Sequence, residues 1–264
     1  MPNPSDPAQS IDPISRADSF SRSAVHLTMF FGPQRLAIGS GVVAHHASGQ
    51  RFLVTAGHNL SGRDPVSRRA LSDTLGLPNR VAAEGCYANF ELNLYDGDND
   101  PNVDRPLYLT HPRGPQIDVT MMQVPSAARV WYPLDASFLD HYSNTQLPLR
   151  IGQECFIVGF PEGLIHRVSA DVIFPIRKTG HIASEPEVDF DGEPKLLVDA
   201  TTRNGMSGSM VIVSDRDRDW NRFVGIYTGR VPAASAQAQR TGDVSTALGW
   251  VYKSSIVTDL LALI

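Results

Sequence analysis

Apolar residues in this chain come in short runs, each closed by turn-forming residues, and that rhythm leaves little room for anything but a β fold. AVHLTMFF (24–31) is followed by GPQ, LAIGSGVVAHH (36–46) by ASGQ, and then RFLVTA (51–56), a pattern that predicts two hairpins. CYANFELNLYD (86–96), RPLYLT (105–110) and IDVTMMQV (117–124) read as further strands, with a polar surface loop over 61–80. The second half repeats the style in ECFIVGF (154–160), RVSADVIFPI (167–176), GHIAS (180–184), KLLVDAT (195–201), SMVIVS (209–214), RFVGIYTG (222–229) and ALGWVYK (247–253). Gly (21) and Pro (19) are abundant enough to supply that many turns. The last residues, SSIVTDLLALI, predict a short amphipathic helix capped by Ser254 or Ser255. Two similar halves around a longer connection point to an all-β chain of two barrels. The expected division is a flexible arm over 1–22, a barrel over 23–125, a linker over 126–148, and a second barrel with the terminal helix over 149–264.

Composition narrows the function. The chain of 264 residues carries a net charge of −5, which argues against nucleic acid as a partner. No apolar run reaches membrane-spanning length, and the N-terminal stretch lacks the basic start and apolar centre of a secretory signal. Cys86 and Cys155 are the only cysteines, and both sit in apolar runs where buried free thiols are expected. With no disulfide framework and no leader, the expectation is a cytoplasmic protein that keeps away from membranes.

Three segments carry chemistry. Asn204-Gly205-Met206-Ser207-Gly208-Ser209 lies between two strands. A serine hydroxyl is a weak nucleophile until a base takes its proton, and the attacked carbonyl needs donors for its developing charge. Gly205 lets the backbone turn, so the N–H groups of Gly205 and Ser207 are the expected donor pair. Thr55-Ala56-Gly57-His58 ends a strand, and its small residues would aim the imidazole of His58 into a cleft. Asp118 opens the strand 117–124 among apolar neighbours, where a carboxylate needs a partner. The rival acids Asp98, Asp100 and Asp104 fall in a polar turn, and the other histidines have less telling surroundings. The chain order His, Asp, Ser excludes the hydrolase order, because no histidine follows Ser207. It also disfavours the subtilisin order, because the aspartates before His58 lie in the polar arm.

Taken together, these segments resemble the trypsin/chymotrypsin-like serine peptidases, closest to the bacterial HtrA/Deg-like branch without its PDZ domain. The likeness spans about residues 24–262 and rests on Gly39-Ser40-Gly41-Val42-Val43, Thr55-Ala56-Gly57-His58, Asp118-Val119, the run from Gly152 to Gly163, the run from Asp199 to Ser209, and Val224-Gly225-Ile226-Tyr227. It implies two six-stranded antiparallel barrels, a triad of His58, Asp118 and Ser207, and hydrolysis of peptide bonds in a protein or peptide substrate with neither cofactor nor metal. It also implies a pocket for the residue before the cut, with its base near Thr201 and walls from Tyr227, Thr228 and Gly229. No acid stands at Thr201, so Lys or Arg selectivity is not implied. Uncharged small-to-medium side chains are expected, with Arg203 or Arg230 favouring acidic ones as the alternative. Met206 stands where secreted members carry an aspartate, so no activation by N-terminal cleavage is expected. The competing expectation is a silent or partner-gated domain that acts as a binding or scaffolding module.

Overall fold

The structure, a computed structural model, describes residues 17–64, 67, 69–71, 77–125, 132–140, 148–215, 220–232 and 247–264. Helix α1 (Ser19–Ser23) leads into the first unit. Its strands are β1 (Ala24–Phe31), β2 (Gln34–His45), β3 (Arg51–Ala56), β4 (Arg80–Gly85), β5 (Asn89–Asn93), β6 (Tyr108–Thr110) and β7 (Val119–Val124), with α2 (Gly57–Ser61) directly after β3. They form one antiparallel sheet in the order β5–β4–β1–β2–β3–β7–β6. The sheet curls without closing: beyond its edge strands, the two ends meet through a Tyr95–Pro106 bridge and a hydrogen bond from Leu107 N–H to the Leu94 carbonyl. The connection to the second unit adds β8 (Leu134–Asp135), parallel to β2, and α3 (Ala136–Leu139).

The second unit is a closed barrel. It contains β9 (Glu154–Gly159), a projecting hairpin of β10 (His166–Ser169) and β11 (Val172–Phe174), then β12 (Ile176–Ile182), β13 (Lys195–Asp199), β14 (Ser209–Asp215), β15 (Trp220–Arg230) and β16 (Leu248–Lys253). The barrel order is β12–β13–β16–β15–β14–β9, and β9 pairs back onto β12. Helix α4 (Ser254–Leu261) ends the chain, with Ile256, Val257 and Leu260 buried.

Strand alternation explains why so many strands read as unbroken apolar runs. In β3, Leu53 points into the first unit while Phe52 and Val54 point into a cluster shared by both units. In β9, Cys155 and Ile157 fill the second barrel while Phe156 and Val158 face the shared cluster. β14 does the same with Val211 against Met210 and Ile212. Each such side chain contributes roughly 1.5–3 kcal/mol on burial, so the two units are joined by core as large as their own interiors.

Five details depart from expectation. The first unit is a curled open sheet among the described residues, and only the second closes into a six-stranded barrel. The arm 1–22 ends in α1, where Phe20 is buried and Asp18 pairs with Arg177 at 2.7 Å; residues 1–16 lie outside the described residues. The linker 126–148 contains β8 and α3, because Leu134, Ala136 and Leu139 have a core to join. Strand β4, which starts at the last residue of the region read as a loop, is not among the expected strands, since Ala and Glu are weak β formers and its apolar alternation (Val81, Ala83) is faint. The run 167–176 is a hairpin turning at Ala170-Asp171 rather than one strand. Cys86 and Cys155 are buried free thiols, and burial pushes that of Cys155 up to about 12. Among the described residues no helix is long and apolar enough to cross a membrane.

Candidate active site

The antiparallel pairing of β3 with β7 sets the first two residues. Ala56 stands opposite Val119, so His58, just past the end of β3, meets Asp118, just before the start of β7. Asp118 is almost fully buried and grips His58 twice: Oδ1 accepts from the backbone N–H at 2.8 Å, and Oδ2 lies 2.7 Å from Nδ1. The Asp118 carbonyl also accepts from Gly57 N–H at 3.0 Å. An ionised carboxylate can only accept, so Nδ1 carries the proton and neutral His58 presents Nε2 as its basic nitrogen. Burial alone would lower the imidazole pKa, but the charge of Asp118, the hydrogen bond with it and the charge of Asp64 outweigh burial and raise it above its ordinary value.

The nucleophile segment comes from the other unit, in the turn that enters β14. Gly205 and Gly208 adopt φ of +86° and +90°, values that side chains rarely tolerate. The loop is fixed from several sides. The Asn204 carbonyl accepts from Glu162 N–H at 2.7 Å, and the Gly205 carbonyl accepts from Ser40 Oγ at 2.7 Å. The Ser207 carbonyl accepts from Ser40 N–H at 2.8 Å and from Asn59 Nδ2 at 2.9 Å. In a trans peptide N–H and C=O point oppositely. The Glu162 contact therefore turns Gly205 N–H away from that neighbour. Neither Gly205 N–H nor Ser207 N–H bonds to an acceptor among the described residues. Met206 points the other way, fully buried among Cys155, Ile157 and Val198, so apolar packing rather than an ion pair holds the loop from below.

His58 and Ser207 share the lining of an open cleft of about 380 Å³, whose remaining wall is largely apolar: Met29, Leu36, Ile38 and Pro78. The Ser207 hydroxyl donates to the Thr228 carbonyl at 3.1 Å rather than to the imidazole. A second cavity of about 280 Å³ opens beside Ser207 between Thr202–Asn204 and Tyr227, Gly229 and Arg230.

The structure therefore brings His58, Asp118, Gly205 and Ser207 together with Tyr227, Thr228 and Gly229. Thr201 is not among them. It is exposed, and the buried Thr202 lines the second cavity, because the segment is extended and alternate side chains face opposite ways. Sequence reasoning also passed over Ser40 and Asn59. The buried Thr55 hydroxyl donates to the Ser40 carbonyl at 2.6 Å and accepts from Asn59 Nδ2 at 2.9 Å, completing a polar bridge from β2 and α2 to the nucleophile loop. The available signal was their place beside marked motifs: Ser40 between two glycines and Asn59 directly after His58.

Comparisons with known proteins bear on the family and the fold. A family model described as a trypsin-like peptidase domain matches residues 39–226. No curated protein matches the chain in sequence. Among solved structures, the Rv3671c protease of M. tuberculosis in its active form is 18% identical with a TM-score of 0.51, covering 97% of this chain and 86% of that one. A mutant of the same protease in its inactive form gives 18% and 0.51, with 98% and 93% covered. The serine endoprotease of Yersinia pestis gives 13% and 0.53, covering 93% of this chain and 63% of that one. At these identities the solved structures speak for the fold. The family model, spanning most of the chain with both the His58 and Ser207 segments inside it, goes further: this chain belongs to the trypsin-like peptidase family.

Proposed function

We propose that the chain is a serine endopeptidase with Ser207 as nucleophile, His58 as general base and Asp118 as the group that orients it. The observation that carries this reading is the double grip of Asp118 on His58 beside a serine whose flanking N–H groups are free to receive charge. Rotation of the Ser207 side chain about Cα–Cβ moves its hydroxyl from Thr228 to His58. Nε2 then takes the hydroxyl proton as Oγ bonds to the substrate carbonyl carbon, and the carbonyl oxygen takes the electron pair between Gly205 and Ser207 N–H. Collapse breaks the C–N bond, and His58 hands the proton to the leaving amine. Water repeats the sequence to free the acid. Asp118 stays ionised and stabilises the imidazolium.

The substrate is a protein or peptide. Strand β14 begins opposite Tyr227, so among the described residues no strand pairs with that edge of Thr228–Arg230 beside Ser207. An extended peptide can add there as a strand, seating the residue before the cut between Thr202–Asn204 and Tyr227–Gly229. A cytoplasmic setting fits the two buried thiols. A second reading, a silent or partner-gated domain, draws support from the Ser207 hydroxyl resting on Thr228. Labelling with a fluorophosphonate probe separates the two. Uptake that disappears in Ser207→Ala and His58→Ala supports the peptidase. A folded wild-type chain that takes up no probe favours the gated domain.

A further inference from the structure

The cavity beside Ser207 is bounded on its barrel side by Tyr227. Tyr227 is only 1% exposed and enters the interior of the second barrel from β15. Its ring lies over Gly249 of β16: a Cβ there would stand 3.0 Å from Cζ and 2.9 Å from the hydroxyl, so the ring takes the volume that any side chain at 249 would need. At its far end the hydroxyl bonds to Thr202 Oγ1, on the wall that leads to the nucleophile. Burial pushes the phenol pKa up, so the ring remains neutral and can hold that bond at any ordinary pH. Above it, Arg230 on one wall reaches Asn204 on the other with Nη2 to Oδ1 at 3.3 Å, a strap across the mouth. What remains open is the solvent-facing cavity of about 280 Å³ beside Ser207, which Tyr227 lines and closes off from the barrel interior.

We propose that Tyr227 determines specificity by filling this pocket, so that the enzyme accepts Gly, Ala or Ser as the residue before the cut and rejects larger side chains. This rests on the peptidase reading above. A Leu or Phe pointing from that position into the barrel would have to displace a packed ring and break its bond to Thr202, whereas a methyl or hydroxymethyl group stays in the open cavity beside Gly229. The preference therefore comes from steric exclusion, with no charge at the pocket floor.

The test is a library of internally quenched peptides varied at the residue before the cut, run on wild type, Tyr227→Val and Tyr227→Phe, with fluorophosphonate labelling of each. Wild type is expected to cut after Gly, Ala or Ser with kcat/KM about tenfold or more above that after Leu or Phe, the scale expected of a tight apolar pocket. Tyr227→Val is expected to move the optimum to Leu, Met or Phe, and Tyr227→Phe, which keeps the ring, to preserve the small-residue preference. A wild-type preference for Leu, Phe, Lys or Arg overturns the proposal. So does cutting after Asp or Glu, which would mean that Arg203 and Arg230 select the substrate. If Tyr227→Val fails to fold, the wild-type profile alone decides. A folded wild type that neither takes up probe nor cuts any peptide removes the peptidase reading and this proposal with it, whereas a labelled enzyme that prefers large residues removes this proposal alone.

Discussion

Ser40 Oγ, in a strand of the first unit, donates to the carbonyl of Gly205, in the nucleophile loop of the second, at 2.7 Å, and the same oxygen accepts from Phe160 N–H at 2.9 Å. Ser40 is fully buried, so no water substitutes for either bond. Removing the hydroxyl strands two buried backbone groups at a cost of about 1–3 kcal/mol each, and it loosens the Gly205–Met206 peptide that joins the two donor peptides, letting Gly205 N–H and Ser207 N–H drift apart. Ser40→Ala is expected to lower the melting temperature and to reduce kcat by about 10²-fold, the scale of a lost oxyanion donor, with KM little changed. Affinity for a peptide boronate, which mimics the tetrahedral state, should fall in parallel. An active variant with unchanged boronate affinity would show that other contacts hold the loop.

The raised pKa of His58 fixes the direction of the pH dependence. His58 must be neutral to act as base, so kcat/KM should climb with pH along a limb whose midpoint lies above about 6.5, the ordinary imidazole value. Stability runs the opposite way. A histidine whose pKa is raised on folding lends stability that is complete below its unfolded pKa and is lost as pH rises through the folded one. Asp118→Asn should therefore cost more thermal stability at pH 5–6 than at pH 9. It should also lower kcat by about 10⁴-fold, because the amide no longer enforces the proton on Nδ1. A kcat/KM midpoint below 6.5 would contradict the charge balance described for the pair.

Much of this architecture was legible because chemistry and turn residues announce themselves locally. His58, Asp118 and Ser207 each sit at the end of an apolar strand, and the strand periods place those ends without knowledge of the contacts. The less legible parts depend on pairing across the fold. Nothing in the run RVAAEG marks β4, whose stability comes from lying between β1 and β5. Thr201 and Thr202 are chemically alike, and only the register of the extended segment decides which one turns inward. Ser40 resembles any small residue until the Gly205 carbonyl is placed against it. That the first unit stays open could not be read either, because closure depends on how far Leu94 and Leu107 bring the two sheet edges together.

Gly208 tests how tightly the nucleophile is seated. At a φ of +90° a Cβ would be strained, and it would also collide with the Ser40 carbonyl and the Thr55 hydroxyl, both fixed in the buried bridge. Unlike the end of a flexible side chain, a backbone carbonyl cannot swing aside. Gly208→Ala is expected to lose more than about 2 kcal/mol in denaturant unfolding, adding backbone strain of order 1–3 kcal/mol to the clash. Fluorophosphonate labelling should vanish even in the fraction that remains folded. Retained labelling at wild-type rate would mean that the loop can shift without losing its geometry.

Ser209 offers the opposite effect. It is fully buried at the start of β14, and its Oγ has no hydrogen-bond partner among the described residues. Its backbone N–H bonds to the Met206 carbonyl at 3.0 Å, a bond that does not depend on the side chain. A hydroxyl buried without a partner carries a desolvation cost of about 1–3 kcal/mol, and Ser209→Ala removes it while keeping the Cβ that packs against Gly159. The variant should be more stable by about 1 kcal/mol, a gain of roughly 2–4 °C in melting temperature for a chain of this size. Activity should be unchanged, since the peptide groups of Gly205 and Ser207 keep all their contacts. Thermal unfolding of the two proteins side by side checks this, and a fall in melting temperature would reveal that the Ser209 hydroxyl is satisfied in solution, with water entering between β9 and β14.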